Sequence, residues 1–312
     1  MQTLQVVGIG LSTLDIVQKL EKLPTWDAPG SIDEVLFDGG GPTGTALAAL
    51  ANWGLKTGFV GTVGNDWVGE LKLRSLKDYG VDVSRTVQRD QPETQVIFCY
   101  VDAQSGERIF TGSKNFLSEP LTVSELDKTY ITDADFLHAE GFHFSATMEA
   151  AKWMHEAGKK VVLDGMAVAG QALPPHYADL VRVTDILICG DGFVQALTGV
   201  QDDREAAQTV LTYGPETVVV TKGDKGSYTM TADEQFHTPA FPVEVVDTTG
   251  SGDVFHGAFI FGLLKGWPLR QTTQFATAAA ALECTRLGGR AGIPQLDDVL
   301  VFLADHDVDL KG

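Results

Sequence analysis

The chain has 312 residues, 44% of them hydrophobic, with 34 glycines and a formal net charge of −19. That length and apolar content can bury a large core as one big α/β unit or two smaller ones. The negative field, without any basic run, excludes nucleic acid and anionic membrane as partners.

Mean hydropathy is +0.02, and no apolar stretch is long enough to cross a bilayer. Cys99, Cys189 and Cys284 are far apart in apolar runs and read as buried free thiols, not as a disulfide or zinc framework. Residues 1–8 lack a basic leader and a long apolar segment, so they read as the first strand of a mature cytoplasmic protein.

Compact apolar runs at 6–9, 58–63, 136–139, 160–164, 185–189 and 217–221 predict strands. Amphipathic or alanine-rich stretches at 44–53, 68–79, 148–157 and 203–213 predict the helices between them. Such alternation implies a parallel sheet covered by helices on both faces. Two regions break it. Residues 12–40 hold no helical pattern, and residues 94–112 read as a hairpin around 103–106. Both are expected to form a small secondary sheet projecting from a single domain that spans 1–312; irregular surface loops are the plainer reading. Beyond Phe241 the pattern becomes helical, at 251–265, 269–286 and 296–303.

Residues 247–253, Asp247-Thr248-Thr249-Gly250-Ser251-Gly252-Asp253, carry the most chemistry. They precede an apolar run that reads as a buried helix, so Gly250, Ser251 and Gly252 present bare amides at a helix N-terminus, where an anion binds. Asp253 would repel that anion. Its expected task is to take a proton from a nucleophile that attacks the phosphate held by the amides. An ordinary glycine-rich turn with an acid in the first helical turn is the alternative.

This heptad with Val254-Phe255-His256-Gly257-Ala258 resembles the signature of the ribokinase-like (PfkB) carbohydrate kinases. Other landmarks follow in that family's order: Asp15 after the first strand, Gly39-Gly40-Gly41-Pro42 before a helix, the run Gly61–Gly69, and Thr221-Lys222-Gly223-Asp224-Lys225-Gly226. The resemblance implies a three-layer α/β/α core with a mostly parallel sheet and a β-lid made from about 12–40 and 94–112. It implies ATP-dependent phosphorylation of a hydroxyl, the primary one, on a small sugar such as a ketose.

Carried over by motif, Asp253 would be the general base and the amides of Gly250, Ser251 and Gly252 the anion hole. Asp15, Gly40, Gly41, Thr45 and Arg108 would face the sugar, although Asp15 also reads as an exposed end-of-strand acid. Lys222, Gly223, Gly226 and Thr248 would border ATP, with Lys222 reading equally well as a solvated turn lysine. The backbone near Asp247, Thr249, Arg286 and Gly288 resembles the family's potassium loop. ATP, Mg2+ and K+ are therefore the expected cofactors, and a homodimer joined through the lid the expected assembly.

The chain also departs from the pattern. Thr45 is aligned where the family has Asn. Gly190-Asp191-Gly192-Phe193 stands where Asn-Xaa-Xaa-Glu helps to order magnesium, and Asp164 alone survives of an Asp-Xaa-Asn-Xaa-Arg run at 164–168. With the segment 284–294, these departures look most like the bacterial sulfofructose kinase branch. An anionic substrate would need a cation in the sugar pocket; Arg108, Lys114 and Arg290 are the candidates, each reading also as a surface or nucleotide-side residue. A dinucleotide-binding dehydrogenase is excluded, since Gly8-Ile9-Gly10 is followed by Thr13 where a third glycine is required. A kinase-fold protein that binds ligand without turnover stays open at this point.

Overall fold

The computed structural model describes residues 3–116, 119–166 and 172–310. In chain order its strands are β1 (Val6–Ile9), β2 (Thr13–Leu20), β3 (Glu34–Gly40), β4 (Thr57–Val60), β5 (Thr62–Gly64), β6 (Val87–Arg89), β7 (Val96–Asp102), β8 (Arg108–Gly112), β9 (Phe136–Ala139), β10 (Lys160–Gly165), β11 (Ile186–Gly190), β12 (Thr217–Thr221), β13 (Ser227–Met230) and β14 (Gln235–Thr238). The helices are α1 (Pro42–Asn52), α2 (Trp67–Lys77), α3 (Lys128–Thr132), α4 (Phe144–Glu156), α5 (Tyr177–Arg182), α6 (Phe193–Thr198), α7 (Asp203–Leu211), α8 (Ser251–Leu264), α9 (Leu269–Glu283) and α10 (Leu296–Asp305).

Eight strands form the main sheet, ordered β14-β13-β12-β11-β10-β9-β1-β4. All neighbours from β12 to β4 are parallel, and β13 and β14 close the far edge antiparallel. The strands are apolar on both faces because both are covered. In β11, Ile186 and Ile188 join the core under α1, α8, α9 and α10, whereas Leu187 and Cys189 point to the opposite core, with Phe193, Ala206 and Val210. The predicted three-layer arrangement is thus present.

The boundaries differ for physical reasons. The run expected as one strand over 58–63 breaks at Gly61, and Thr62–Gly64 pairs with β6 instead of with β1. Helices α3, α5 and α6 are five or six residues long, too short to express a helical period. Helix α9 stops at Glu283, three residues early, where the amides of Thr285 and Arg286 bond back to the carbonyls of Leu282 and Glu283 in tight turns.

A second sheet, ordered β3-β2-β7-β8, contains both regions that broke the alternation. Its inner face packs Val17, Cys99 and Val101 against Leu36 and Leu287. Its outer face leaves Val35, Phe37, Phe98 and Ile109 exposed. The chain leaves β1 toward β4 on one side and later returns as β9 on the other. That reversal opens a crevice beyond the carboxyl ends of these strands.

Candidate active site

Helix α8 begins in that crevice. Its N-cap, Gly250, has φ 86°, and a Cβ there would lie 2.7 Å from Gly289 Cα. Only glycine tolerates both conditions. The turn is closed by Ser251 Oγ, which donates to Thr248 O at 3.0 Å. The first-turn amides have no partners within the helix, the condition in which a helix N-terminus can bind an anion. One residue further on, Asp253 is pushed up to about 8 by burial, with the charge of Asp164 adding to the shift and Arg108 opposing it. Asp164, at the end of β10, is itself pushed up to about 7 by burial, and its Oδ1 lies 3.6 Å from His256 Nε2 one turn along α8. Burial lowers His256 to about 3, so that ring is neutral. The arrangement is a carboxyl of unusually high proton affinity beside an anion-binding helix end.

Asp15, on β2, is 5% exposed and pushed up to about 6, again chiefly by burial, while the Thr13 hydroxyl donates to it and pulls the other way. A side chain on Gly40 would collide with the Asp15 carboxylate, so that glycine gives the acid its room. Gly41 caps α1 and places Pro42 at its first turn. The described residues thus bring Asp253, Asp15, Gly40 and Gly41 to one crevice.

Three sugar-side expectations are corrected. Thr45 does not reach the pocket: it is fully buried inside α1, its Oγ1 without a partner. The open position is Gly44, whose missing side chain leaves the space occupied by the Arg290 guanidinium. Arg290 is therefore neither a surface nor a nucleotide-side residue. It is fully buried, donating from Nη1 to Ser75 Oγ at 2.6 Å and from Nη2 to Ser12 Oγ at 2.9 Å and to Gly40 O at 2.5 Å. Arg108, expected at the sugar, lies across the crevice, donating from Nη1 to Thr248 Oγ1. Lys114 is exposed.

A cleft of about 610 Å3 adjoins α8. Thr221, Gly223 and Gly226 line one side and Thr248, Ser251 and Gly252 its polar end; Phe241, Val243, Ala280 and Ala281 make an apolar end. Lys222 does not line it, because its ammonium is held by Asp203 and, at 3.4 Å, by Asp191.

The metal expectations fare unevenly. Phe193 fills the position of the family Glu and is fully buried in the core, and Asp191 is exposed and tied to Lys222. Among the described residues no group of three His, Cys, Asp or Glu side chains could hold a metal ion. The residues at 190–193 do not fit a protein-held magnesium. Ala167 and Val168, from the run at 164–168, lie outside the described residues. Asp247 is fully buried; its Oδ1 accepts from Thr249 N at 2.9 Å and Oγ1 at 2.7 Å, and its Oδ2 accepts from Gly288 N at 2.9 Å. Glu283, equally buried, has both carboxyl oxygens unpartnered, while Arg286 is exposed.

Sequence reasoning missed Glu140. It follows β9, is fully buried, and accepts from the amides of Leu11 and, at 3.2 Å, Thr43. An acid directly after an apolar strand end, Phe136-Leu137-His138-Ala139-Glu140, was its only signal.

The family model described as pfkB family carbohydrate kinase matches residues 3–296. The chain belongs to that family. The kinase is 28% identical over 302 residues to the ATP-dependent ribose-1-phosphate kinase of Halopiger xanaduensis, covering 97% of this chain and 99% of that one. It is 27% identical to the 5-dehydro-2-deoxygluconokinase of Geobacillus thermodenitrificans, over 86% and 84% of the two chains. Among solved structures it is similar to a putative ribokinase II from E. coli in complex with ATP and Mg2+, with a TM-score of 0.84 at 25% identity over 97% of this chain and 100% of that one. These likenesses show the family as a whole and do not single out the sulfofructose kinase branch.

Proposed function

We propose that this kinase transfers the γ-phosphoryl group of ATP to the primary hydroxyl of a small sugar, a ketose or ketose derivative, in the cytoplasm. The observation that carries the reading is Asp253, held beside the open amides of Gly250, Ser251 and Gly252, between the Asp15–Gly40 pocket and the 610 Å3 cleft. A sugar in the first and a nucleotide in the second would meet at those amides. The hydroxyl oxygen attacks Pγ, its proton passes to the Asp253 carboxylate, the Pγ–O bond to the β-phosphate breaks, and ADP leaves with that electron pair. Positioning and charge stabilisation do most of the work in such a transfer.

The ketose assignment draws support from the 5-dehydro-2-deoxygluconokinase relative. A sugar phosphate is the second reading, favoured by the likeness to the ribose-1-phosphate kinase. Against it, the one cation in the sugar wall among the described residues, Arg290, is fully buried and already bonded to Ser12, Ser75 and Gly40. Magnesium would arrive on ATP, where it neutralises phosphate charge. The buried, unpartnered Glu283 beside the Asp247 loop supports a monovalent cation there. The small sheet would close as a lid, and its exposed outer residues Val35, Phe37, Phe98 and Ile109 would pair with a second copy.

A coupled ATPase screen across ketoses, aldoses, nucleosides, sugar phosphates and sulfo-sugars tests the reading. Acceptor-dependent ADP release with a ketose supports it. Release with sugar phosphates alone replaces the acceptor, and no acceptor-dependent release with any class defeats it.

A further inference from the structure

A triphosphate must be bound by a chain of net charge −19, so the source of local positive charge decides how the site works. Lys222 is consumed by Asp203 and Asp191, and Arg290 is sealed from solvent. Among the described residues lining the cleft, Arg108 is the only basic one, and Asp224 the only acidic one. Arg108 reaches the cleft from the small sheet, as the first residue of β8.

Its position is fixed by the hairpin that precedes it. Asp102 Oδ1 accepts from Gln104 N at 3.0 Å, Ser105 N at 2.7 Å and Ser105 Oγ at 2.9 Å, which locks the turn. Gly106 then lies so close to the loop before the heptad that a Cβ would come within 3.1 Å of Val245 Cγ1 and 3.2 Å of Val246 O. The docked hairpin carries the guanidinium over Phe110, 5.5 Å from the ring centroid, and onto Thr248. Its Nε is buried and unpartnered. The guanidinium therefore stands at the polar end of the cleft, on Thr248, three residues before Ser251, with its Nε still unpaired.

We propose that Arg108 is a catalytic residue that binds the γ-phosphate of ATP, so that closure of the small sheet delivers the charge that stabilises phosphoryl transfer. The inference rests on the kinase reading above. During transfer the guanidinium spans the equatorial oxygens of the γ-phosphoryl group while Asp253 takes the hydroxyl proton and ADP departs. A planar, permanently charged fork suits that task better than an ammonium.

The test compares the binding of AMP-PNP and ADP, each with Mg2+, to wild type, Arg108→Met and Arg108→Lys by calorimetry, after melting curves establish that each is folded. AMP-PNP affinity is expected to fall about 10–100-fold in Arg108→Met, with ADP affinity changed less than about 3-fold and the lysine variant between. Turnover should fall roughly 10²–10³-fold while KM for the acceptor stays within about 3-fold. Equal weakening of both nucleotides, an unchanged ratio, or a raised acceptor KM with unchanged kcat overturns the inference and leaves the kinase reading standing. Wild type that binds neither nucleotide overturns both. If Arg108→Met does not fold, Arg108→Gln carries the same comparison.

Discussion

Replacing Asp253 with Asn separates what the carboxyl does in catalysis from what it does to the fold. The group titrates at about 8 instead of the ordinary 3.8, chiefly because it is buried. Each unit of such a shift corresponds to about 1.4 kcal/mol, so the gap sets a ceiling of roughly 6 kcal/mol on its effect. The residue is partly open to the crevice and shares its titration with Asp164, so solvent screening and coupling bring the expected effect to roughly 2 kcal/mol. The sign follows from proton binding. Below about pH 4 the carboxyl is protonated both folded and unfolded; as pH rises toward 8 it ionises only in the unfolded chain, so wild-type stability falls across that window and is level above it. Asp253→Asn lacks that slope. Its melting temperature should match wild type near pH 4 and exceed it by about 4 °C at pH 8. Turnover should fall about 10²–10⁴-fold. In wild type, kcat/KM should rise with pH, with its midpoint between the about 7 of Asp164 and the about 8 of Asp253, because the base must be ionised to accept a proton. A variant that keeps more than a tenth of wild-type kcat refutes the base assignment. Parallel melting curves at all pH values refute the burial argument.

Gly250→Ala should lower kcat by at least about 100-fold, since the left-handed cap and the 2.7 Å approach to Gly289 leave a methyl nowhere to go without moving the anion-hole amides; steady-state kinetics on a variant with native circular dichroism decides it, and near-wild-type turnover would show the amides to be dispensable. Exhaustive chelation of divalent ions should abolish turnover even though 190–193 holds no magnesium ligand, because the metal is expected to come with ATP; unchanged activity removes that expectation. Turnover should also be faster in potassium than in tetramethylammonium, and equal rates count against a cation at the Asp247 loop. Sedimentation at micromolar concentration should show a dimer that Phe37→Glu with Phe98→Glu converts to monomer, whereas a single wild-type species near 33.5 kDa contradicts pairing through the small sheet.

The core was legible because its strands are apolar on both faces and its long helices span several turns. Runs such as Thr217–Thr221 and Phe136–Ala139 appear with their predicted ends intact. Legibility failed where structure depends on distant partners. Gly61 breaks a continuous apolar run because Thr62–Gly64 pairs with residues 87–89, which no local pattern reveals. The heptad's place at a helix start was legible in the same local way, since a helix N-terminus flanked by glycines is a property of neighbouring residues. Thr248 and Ser251 line the cleft beside α8.

The surroundings of Asp15 and Gly40 were harder to read because they are assembled from four distant segments. Gly44 looks like a helix-weakening glycine until residue 290 arrives in the space it leaves. Arg290 looks like one more charge in a Gly-rich loop until Asp38 is seen to accept from the amides of Arg290 and Ala291, both at 2.9 Å. Those bonds fasten β3 to the loop that also gives Gly288 N to Asp247. The small sheet, Gly40 and the heptad are therefore one mechanical unit, although their residues lie some 250 positions apart in sequence. A buried guanidinium this heavily bonded serves to hold Gly40 and Ser12 in place. Its removal should accordingly disturb the geometry around Asp15 and Gly40 before that of the cleft beside α8, where Arg108 stands.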